Sequence, residues 1–445
     1  MRFIETIKNI SKIEDLRKRI VVTFLLVLVY RVGCYVVLPG INPSELDALR
    51  NFTDSGLMQL LDMFSGGAFS QASIFALGIM PYITASIVIQ LLGMVLPSFQ
   101  KLQREGESGH MKINQYTRYL TVVILLLQAP AYLVNLQVQV NSAGGNAHFG
   151  FWTMAYMIII LAAGSMFIMW LGERITDKGI GNGISFIILV GIIARLPQAF
   201  VQEFSNRLTT AQGGLVMFVV EIVVLFAVIL GAVLLVQGTR KVPVQYAKRI
   251  VGNKQYGGAR QYIPLKVNAA GVMPIIFAQA IMFIPLTLAG FGSQGEGSAV
   301  VRALTYMTGF WFNLIYFFMI VAFTYFYTAI TVRPTQMAED MKRNNGFIPG
   351  VKPGKKTSDY LDSIMSRITL PGSIFLGIVA IMPAFANICG VNHNFAQFFG
   401  GTSLLIMVGV VLDTLQQVES HLMMHHYDGL MKSGKIKGRT TGSGY

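Results

Sequence analysis

Residues Leu215 to Val236 form an apolar run of 22 residues interrupted by one charge, Glu221. A helix rising 1.5 Å per residue covers the roughly 30 Å hydrocarbon core of a bilayer in about 20 residues. This run therefore reads as a membrane span. Nine further apolar runs are bounded by polar, Gly or Pro punctuation: Ile20 to Leu38, Ile74 to Leu96, Leu120 to Val138, Met154 to Leu171, Ile184 to Phe200, Ala269 to Gly290, Phe310 to Thr331, Leu370 to Ile388 and Phe398 to Leu415. Only 13% of residues are charged, against about 25% in a water-soluble domain, so an ordinary soluble protein is excluded. The expected fold is all-α and integral to the membrane, with ten transmembrane helices. The first run is too long for the apolar part of a cleavable signal and reads as span 1. Cys34 and Cys389 cannot build a disulfide framework, and both read as packing residues.

Short loops rich in Lys and Arg stay cytoplasmic. The N-terminal segment, every second loop and the C-terminal tail hold 30 of the 35 basic residues, which puts both termini in the cytoplasm. Two of those loops are long. Gln237 to Asn268 carries Arg240, Lys241, Lys248, Arg249, Lys254, Arg260 and Lys266 with no acid, and Arg333 to Thr369 carries seven basic and four acidic residues. Orientation alone needs fewer charges, so these loops read either as solvated connections or as docking surfaces for a large, partly anionic cytoplasmic partner.

An outer loop, Pro197 to Gly214, divides the spans into two sets of five. An odd number per set forces the second to insert upside down, the inverted-repeat arrangement of many transport proteins. The expected organisation is an N-terminal half at residues 1–200, a C-terminal half at 201–420 and a cytoplasmic tail at 421–445. Span 2 contains Gly78-Ile79-Met80-Pro81-Tyr82-Ile83 and span 7 contains Gly271-Val272-Met273-Pro274-Ile275-Ile276; spans 5 and 10 share G-x-S-x-x-I at Gly183 and Gly401. Gly and Pro interrupt membrane helices where backbone lines a cavity instead of lipid. The repeat makes Ile83, Ile276, Ile188 and Ile406 equivalent, and Ile79 and Ile184 lie one turn earlier on the same faces. These six isoleucines form one collar, or else face lipid and neighbouring helices as isoleucines in spans usually do.

Leu57 to Ser73, on the outer side, contains an apolar stretch too short to cross, followed by Gly66 and Gly67. It reads as an interfacial helix or as a re-entrant segment. No enzyme signature is present. Gly354-Lys355-Lys356-Thr357 fails the phosphate-loop spacing because Pro349 replaces its first Gly, and Gly179-Ile180-Gly181-Asn182-Gly183 reads as a tight turn into span 5. His421, His425 and His426 have helical spacing without a third-ligand set, so neither a metal nor a cofactor is expected. An ion-coupled secondary transporter would share the inverted repeats, but it needs ionisable groups at mid-membrane. The candidates are few: Arg31, Arg195, Glu221 and Asp413. An apolar collar suits a passive conduit sealed by dewetting.

The stretches MFSGGAFSQASIFALGIMPYI (Met63 to Ile83), GIGNGIS (Gly179 to Ser185), PLKVNAAGVMP (Pro264 to Pro274) and FGGTSLLI (Phe399 to Ile406) resemble the SecY family, the channel subunits of the bacterial protein translocon. The resemblance runs over essentially the whole chain. It implies a ten-helix clamshell in the bacterial inner membrane that conducts unfolded, signal-bearing polypeptides and releases hydrophobic segments sideways into lipid. Carried over by position, the pore ring falls on Ile79, Ile83, Ile184, Ile188, Ile276 and Ile406. The plug covers about Asp62 to Gln71, including Asp62, Met63, Phe64, Ser65, Gly66, Gly67, Ala68 and Phe69. The lateral gate lies between spans 2 and 7, with Thr84, Gln128 and Ile284 at gate positions, and the family often has a polar or aromatic residue where Ile284 stands. Arg240, Lys241, Lys248, Arg249 and Lys352 would dock cytoplasmic partners, Lys352 standing where an Arg with its planar fork of donors is typical. The implied partners are the SecE and SecG subunits, the motor ATPase SecA, the ribosome with its RNA, the nascent polypeptide with its signal peptide, and membrane lipid.

Overall fold

The computed structural model describes residues 13–41, 62, 65–142, 150–209, 214–246, 249–251, 254–256, 260–279, 281–282 and 309–432. Nine of the ten expected spans are helices: α1 (Glu14–Gly33), α2 (Met80–Val95), α4 (Glu107–Ser142), α5 (Phe151–Lys178), α6 (Gly183–Thr209), α7 (Gly214–Gln237), α8 (Phe310–Thr331), α10 (Lys355–Ile388) and α12 (Gly401–Lys432). Span 7 is helical at 273–279, and most of its remainder lies outside the described residues. Shorter helices are α3 (Pro97–Arg104), α9 (Pro334–Arg343) and α11 (His393–Ala396).

Among the described residues seven helices are long and apolar enough to cross a membrane alone, or eight if α2 and α3 form one bent span. Helices α1 and α2 fall short because α1 begins with the charged stretch Glu14 to Arg19 and unwinds before its apolar run ends, and α2 is only 16 residues long. Helix α1 stops at Gly33 although its apolar run continues to Leu38. The Leu38 N–H donates to the Ala72 carbonyl and the Ile74 N–H to the Val36 carbonyl, both at 2.9 Å. Residues 65–79 are turns apart from an antiparallel bridge of Ser73 to Val37, and α2 begins only at Met80 with Pro81 in its first turn. Irregular backbone is tolerated at membrane depth only where protein or water satisfies it.

The chain divides into two compact units, Met1–Arg195 with Val410–Tyr445, and Leu196–Gly409. In the first, the core around the unwound segment joins Leu38, Phe69, Ala72 and Ala76 to Leu133 of α4 and Met157 and Leu161 of α5. In the second, α8 packs on α10. Its 6/7 loop is not a loop. Strand β1 (Thr239–Tyr246) pairs antiparallel with β4 (Arg260–Lys266), from Thr239↔Lys266 to Gln245↔Arg260, with β2 (Arg249–Val251) and β3 (Lys254–Tyr256) forming a small ribbon between them. Strand β5 (Gly346–Phe347), from loop 8/9, pairs with the other edge of β1. Val242 and Val244 alternate inward onto Leu265, Met341, Ile348, Leu361 and Met365, so the two basic loops share one apolar core. Alternation of period two is the signature of a half-buried strand, and Val242, Val244 and Tyr246 carried it.

The outer 5/6 loop is likewise ordered further than expected, since α6 runs through Pro197 to Thr209. Arg207 and the two carboxylates nearest it are buried. Its guanidinium donates to Glu203 at 2.8 Å, to Glu221 of α7 at 2.5 Å and to the Gly390 carbonyl at 2.9 Å. Glu203 also accepts the Asn392 N–H at 2.8 Å. Cys34 is buried as expected, whereas Cys389 is exposed at the end of α10 and packs no core.

The inverted repeat is visible as local geometry in each unit. Gly78 and Gly271 are both left-handed, at φ +56° and +64°, and helix begins two residues later at Met80 and at Met273 with a proline next. Gly183 and Gly401 each open a helix. Ile83 and Ile276 therefore stand three residues into their helices, and Ile188 and Ile406 five residues into theirs.

Candidate functional site

Asp62 and the unwound segment at 65–79 are the centre of the site. Met63 and Phe64, expected in the plug with Asp62 and Ser65 to Phe69, lie outside the described residues, as does most of the apolar stretch before them. The rest is buried: Asp62 is 1% exposed, Ser65 2%, Ala68 0%, Phe69 5% and Ser73 0%. An interfacial helix would expose one face, whereas the described residues from 62 to 70 are all buried, as a re-entrant segment requires. Its inner order is local. The Ser65 hydroxyl donates to the Asp62 carbonyl and accepts the Phe69 N–H, and the Asp62 carboxylate accepts the Ser70 N–H at 2.7 Å.

Three spans clamp it. From α1, the Tyr30 hydroxyl donates to the Ser65 carbonyl and the Arg31 guanidinium to the Gly66 carbonyl, each at 3.1 Å. From α4, the Tyr132 hydroxyl donates to the Phe69 carbonyl at 3.1 Å. From α6, Arg195 forms an ion pair with Asp62 and donates to the Ser70 hydroxyl at 3.1 Å. Gly66 is left-handed at φ +66°, and a Cβ there would stand 2.8 Å from both the Gly191 Cα on α6 and an Arg31 nitrogen. Only glycine allows this seat.

Arg31 and Arg195, which the sequence left without partners inside apolar spans, thus hold the segment. Charged groups at such depth are rare and need partners, and that was the available signal. Tyr30 and Tyr132 gave none, because their partners are backbone carbonyls far along the chain. Glu221, another candidate for ion coupling, is held by Arg207, and Asp413 is exposed on α12.

In the first unit Ile79 and Ile188 are buried and Ile83 and Ile184 half-buried; in the second, Ile406 is buried and Ile276 half-buried. The turn 179–183 seats Ile184 and Ile188. Asn182 Oδ1 accepts the Ile184 and Ser185 N–H groups at 3.1 and 3.4 Å, capping α6. The Thr23 hydroxyl accepts the Ile180 N–H, the Thr176 hydroxyl accepts the Gly183 N–H, and the Gln417 side chain accepts the Gly181 N–H. Of the gate positions, Thr84 and Gln128 are half-buried on α2 and α4, and Ile284 lies outside the described residues. The Thr84 hydroxyl donates to its own helix at the Met80 carbonyl, 3.0 Å away. Arg240 and Lys241 are exposed on β1 and Lys352 on the turn between β5 and α10. Arg249 lies on β2, and Lys248 is outside the described residues.

The SecY family profile matches residues 73–415. The protein translocase subunit SecY of Corynebacterium glutamicum is 41% identical over 442 residues, covering 95% of this chain and 98% of its own length. That of Streptomyces griseus is 42% identical over 434 residues, covering 95% and 98%. Among solved structures, one described as a protein conducting channel aligns with a TM-score of 0.61 at 19% identity, covering 91% of this chain and 92% of the other. Another, in which the plug domain of SecY is described as stabilising the closed state and maintaining a membrane seal, aligns with a TM-score of 0.60 at 19% identity and the same coverage. A helical membrane fold with matched Gly-Pro breaks, a clamped re-entrant segment and near-full-length likeness lead to one conclusion: the chain belongs to the SecY family.

Proposed function

We propose that the chain is the channel subunit of a protein translocase, passing unfolded, signal-bearing polypeptides across the inner membrane and releasing hydrophobic segments sideways into lipid. The observation that carries this reading is the buried re-entrant segment at 62 and 65–79, held by polar contacts from three spans. A few hydrogen bonds worth about 1 kcal/mol each hold a plug firmly yet release it when a substrate supplies competing interactions. The six isoleucines would form the collar around the passing chain. The two halves, 1–200 and 201–420, would part along spans 2 and 7, with Thr84, Gln128 and Ile284 on that seam. Both termini would face the cytoplasm, and the tail from 421 would extend there as the end of α12.

The chain itself would do no catalysis, so the driving energy comes from a motor ATPase of the SecA type or from a ribosome docked on the basic loops. Small membrane subunits of the SecE and SecG type would complete the assembly. Support comes from the names of the curated relatives and from an aligned solved channel described in complex with the ribosome. The test is reconstitution of the purified complex in proteoliposomes with an unfolded signal-bearing substrate and the motor. Protease-protected substrate that requires the signal is expected; its absence with a folded, motor-binding complex would reject the reading.

A further inference from the structure

In the second unit a cavity of about 700 Å³ opens where β4, the end of α8, the start of α9 and α10 meet. Thr331, on its wall, is the last residue of α8, and Lys266, also on its wall, ends β4 just before span 7. The cavity thus lies where the apolar spans give way to the basic segments, which in a bilayer would place it near the lipid headgroups on the side those segments face, the cytoplasmic side by their charge. Its floor is apolar, from Leu265, Ala269, Val332, Met337 and Met365. Its rim carries Lys266 and Arg333, both exposed, against the single acid Asp340. Among the described residues no salt bridge engages either basic side chain.

We propose that this cavity binds the headgroup of an anionic glycerophospholipid from the cytoplasmic leaflet. The phosphodiester would sit between Lys266 and Arg333, and the glycerol and first acyl carbons would cover the apolar floor. The volume falls in the range of small-ligand sites, about 300–1,000 Å³, far more than a free phosphate fills. A basic pocket between spans on the cytoplasmic side is chemically suited to an anionic headgroup. Nothing in this assignment depends on the channel reading.

The test uses the full chain in neutral micelles, with phosphatidylglycerol and phosphatidylcholine as probes and bound lipid counted by native mass spectrometry. Each basic residue near a membrane surface contributes roughly fivefold to anionic-lipid affinity, so Lys266→Ala with Arg333→Ala should weaken phosphatidylglycerol binding about 25-fold and leave phosphatidylcholine unchanged. Lys266→Arg with Arg333→Lys should retain it, and Asp340→Asn should strengthen it. Equal binding by the alanine variant overturns the proposal, as does full competition by millimolar inorganic phosphate. In native membranes a photocrosslinker at Gln336, which also lines the cavity, should capture lipid. A protein adduct in its place would assign the cavity to a partner subunit and overturn the proposal.

Discussion

Arg195 interrupts an apolar stretch of α6, where an unpaired guanidinium would be expensive, and its partner Asp62 is almost wholly buried. Removing one member strands the other, and a buried group left unsatisfied costs about 1–3 kcal/mol, more if charged. Asp62→Asn and Arg195→Gln should each loosen the plug, raising resting ion leakage in planar bilayers and admitting weaker signal sequences. The double variant should be less severe than the sum of the singles, because the two groups form one interaction; additive effects would show that they act separately. At the collar, a polar amide gives passing water a hydrogen-bond partner and lowers the dewetting barrier. Ile406→Asn and Ile83→Asn should both raise resting conductance, and unchanged conductance in both would remove the collar from the proposal.

The β1–β4 hairpin joins loops 6/7 and 8/9 through β5, so its stability and its docking role rest on different side chains. Val244, 1% exposed, faces the shared core, while Arg240 and Lys241 face water. Val244→Asp would bury an unpaired carboxylate, the kind of change that destabilises by more than about 4 kcal/mol. Limited proteolysis of both loops should then accelerate together. Arg240→Glu with Lys241→Glu should leave the proteolysis pattern unchanged. Cleavage confined to one loop in the valine variant would contradict a shared core. The unwound outer ends of α1 and α2 follow the same logic, because each gives up helix where the other's backbone supplies the missing hydrogen bonds.

For the whole molecule, a net charge of +14, with the basic residues gathered in alternate loops, would set both orientation and the attraction of anionic partners. Charge reversal at Lys248, Arg249 and Lys352 should weaken binding of the motor or ribosome without affecting folding. Because such contacts are screened or exchanged for counterions, the loss should be largest at low salt and shrink as ionic strength rises. A triple reversal with unchanged affinity across a salt titration would leave these basic residues as orientation signals only.

Spans and the paired Gly-Pro breaks were legible in the sequence, because each depends on local composition: apolar length, and the backbone freedom of Gly78 and Gly271. The SecY likeness was legible for the same reason, being carried by contiguous blocks. The contacts that hold the segment at 65–79 were not. Tyr30 meets Ser65 across 35 residues, Tyr132 meets Phe69 across 63 and Arg195 meets Ser70 across 125, and no local pattern encodes such separations. The buried set of Glu203, Arg207 and Glu221 and the sheet that unites the two basic loops belong to the same class. Burial in a membrane obliges every charge and free backbone group to find a partner, but which partner it finds depends on how distant segments pack, and only the tertiary structure decided that.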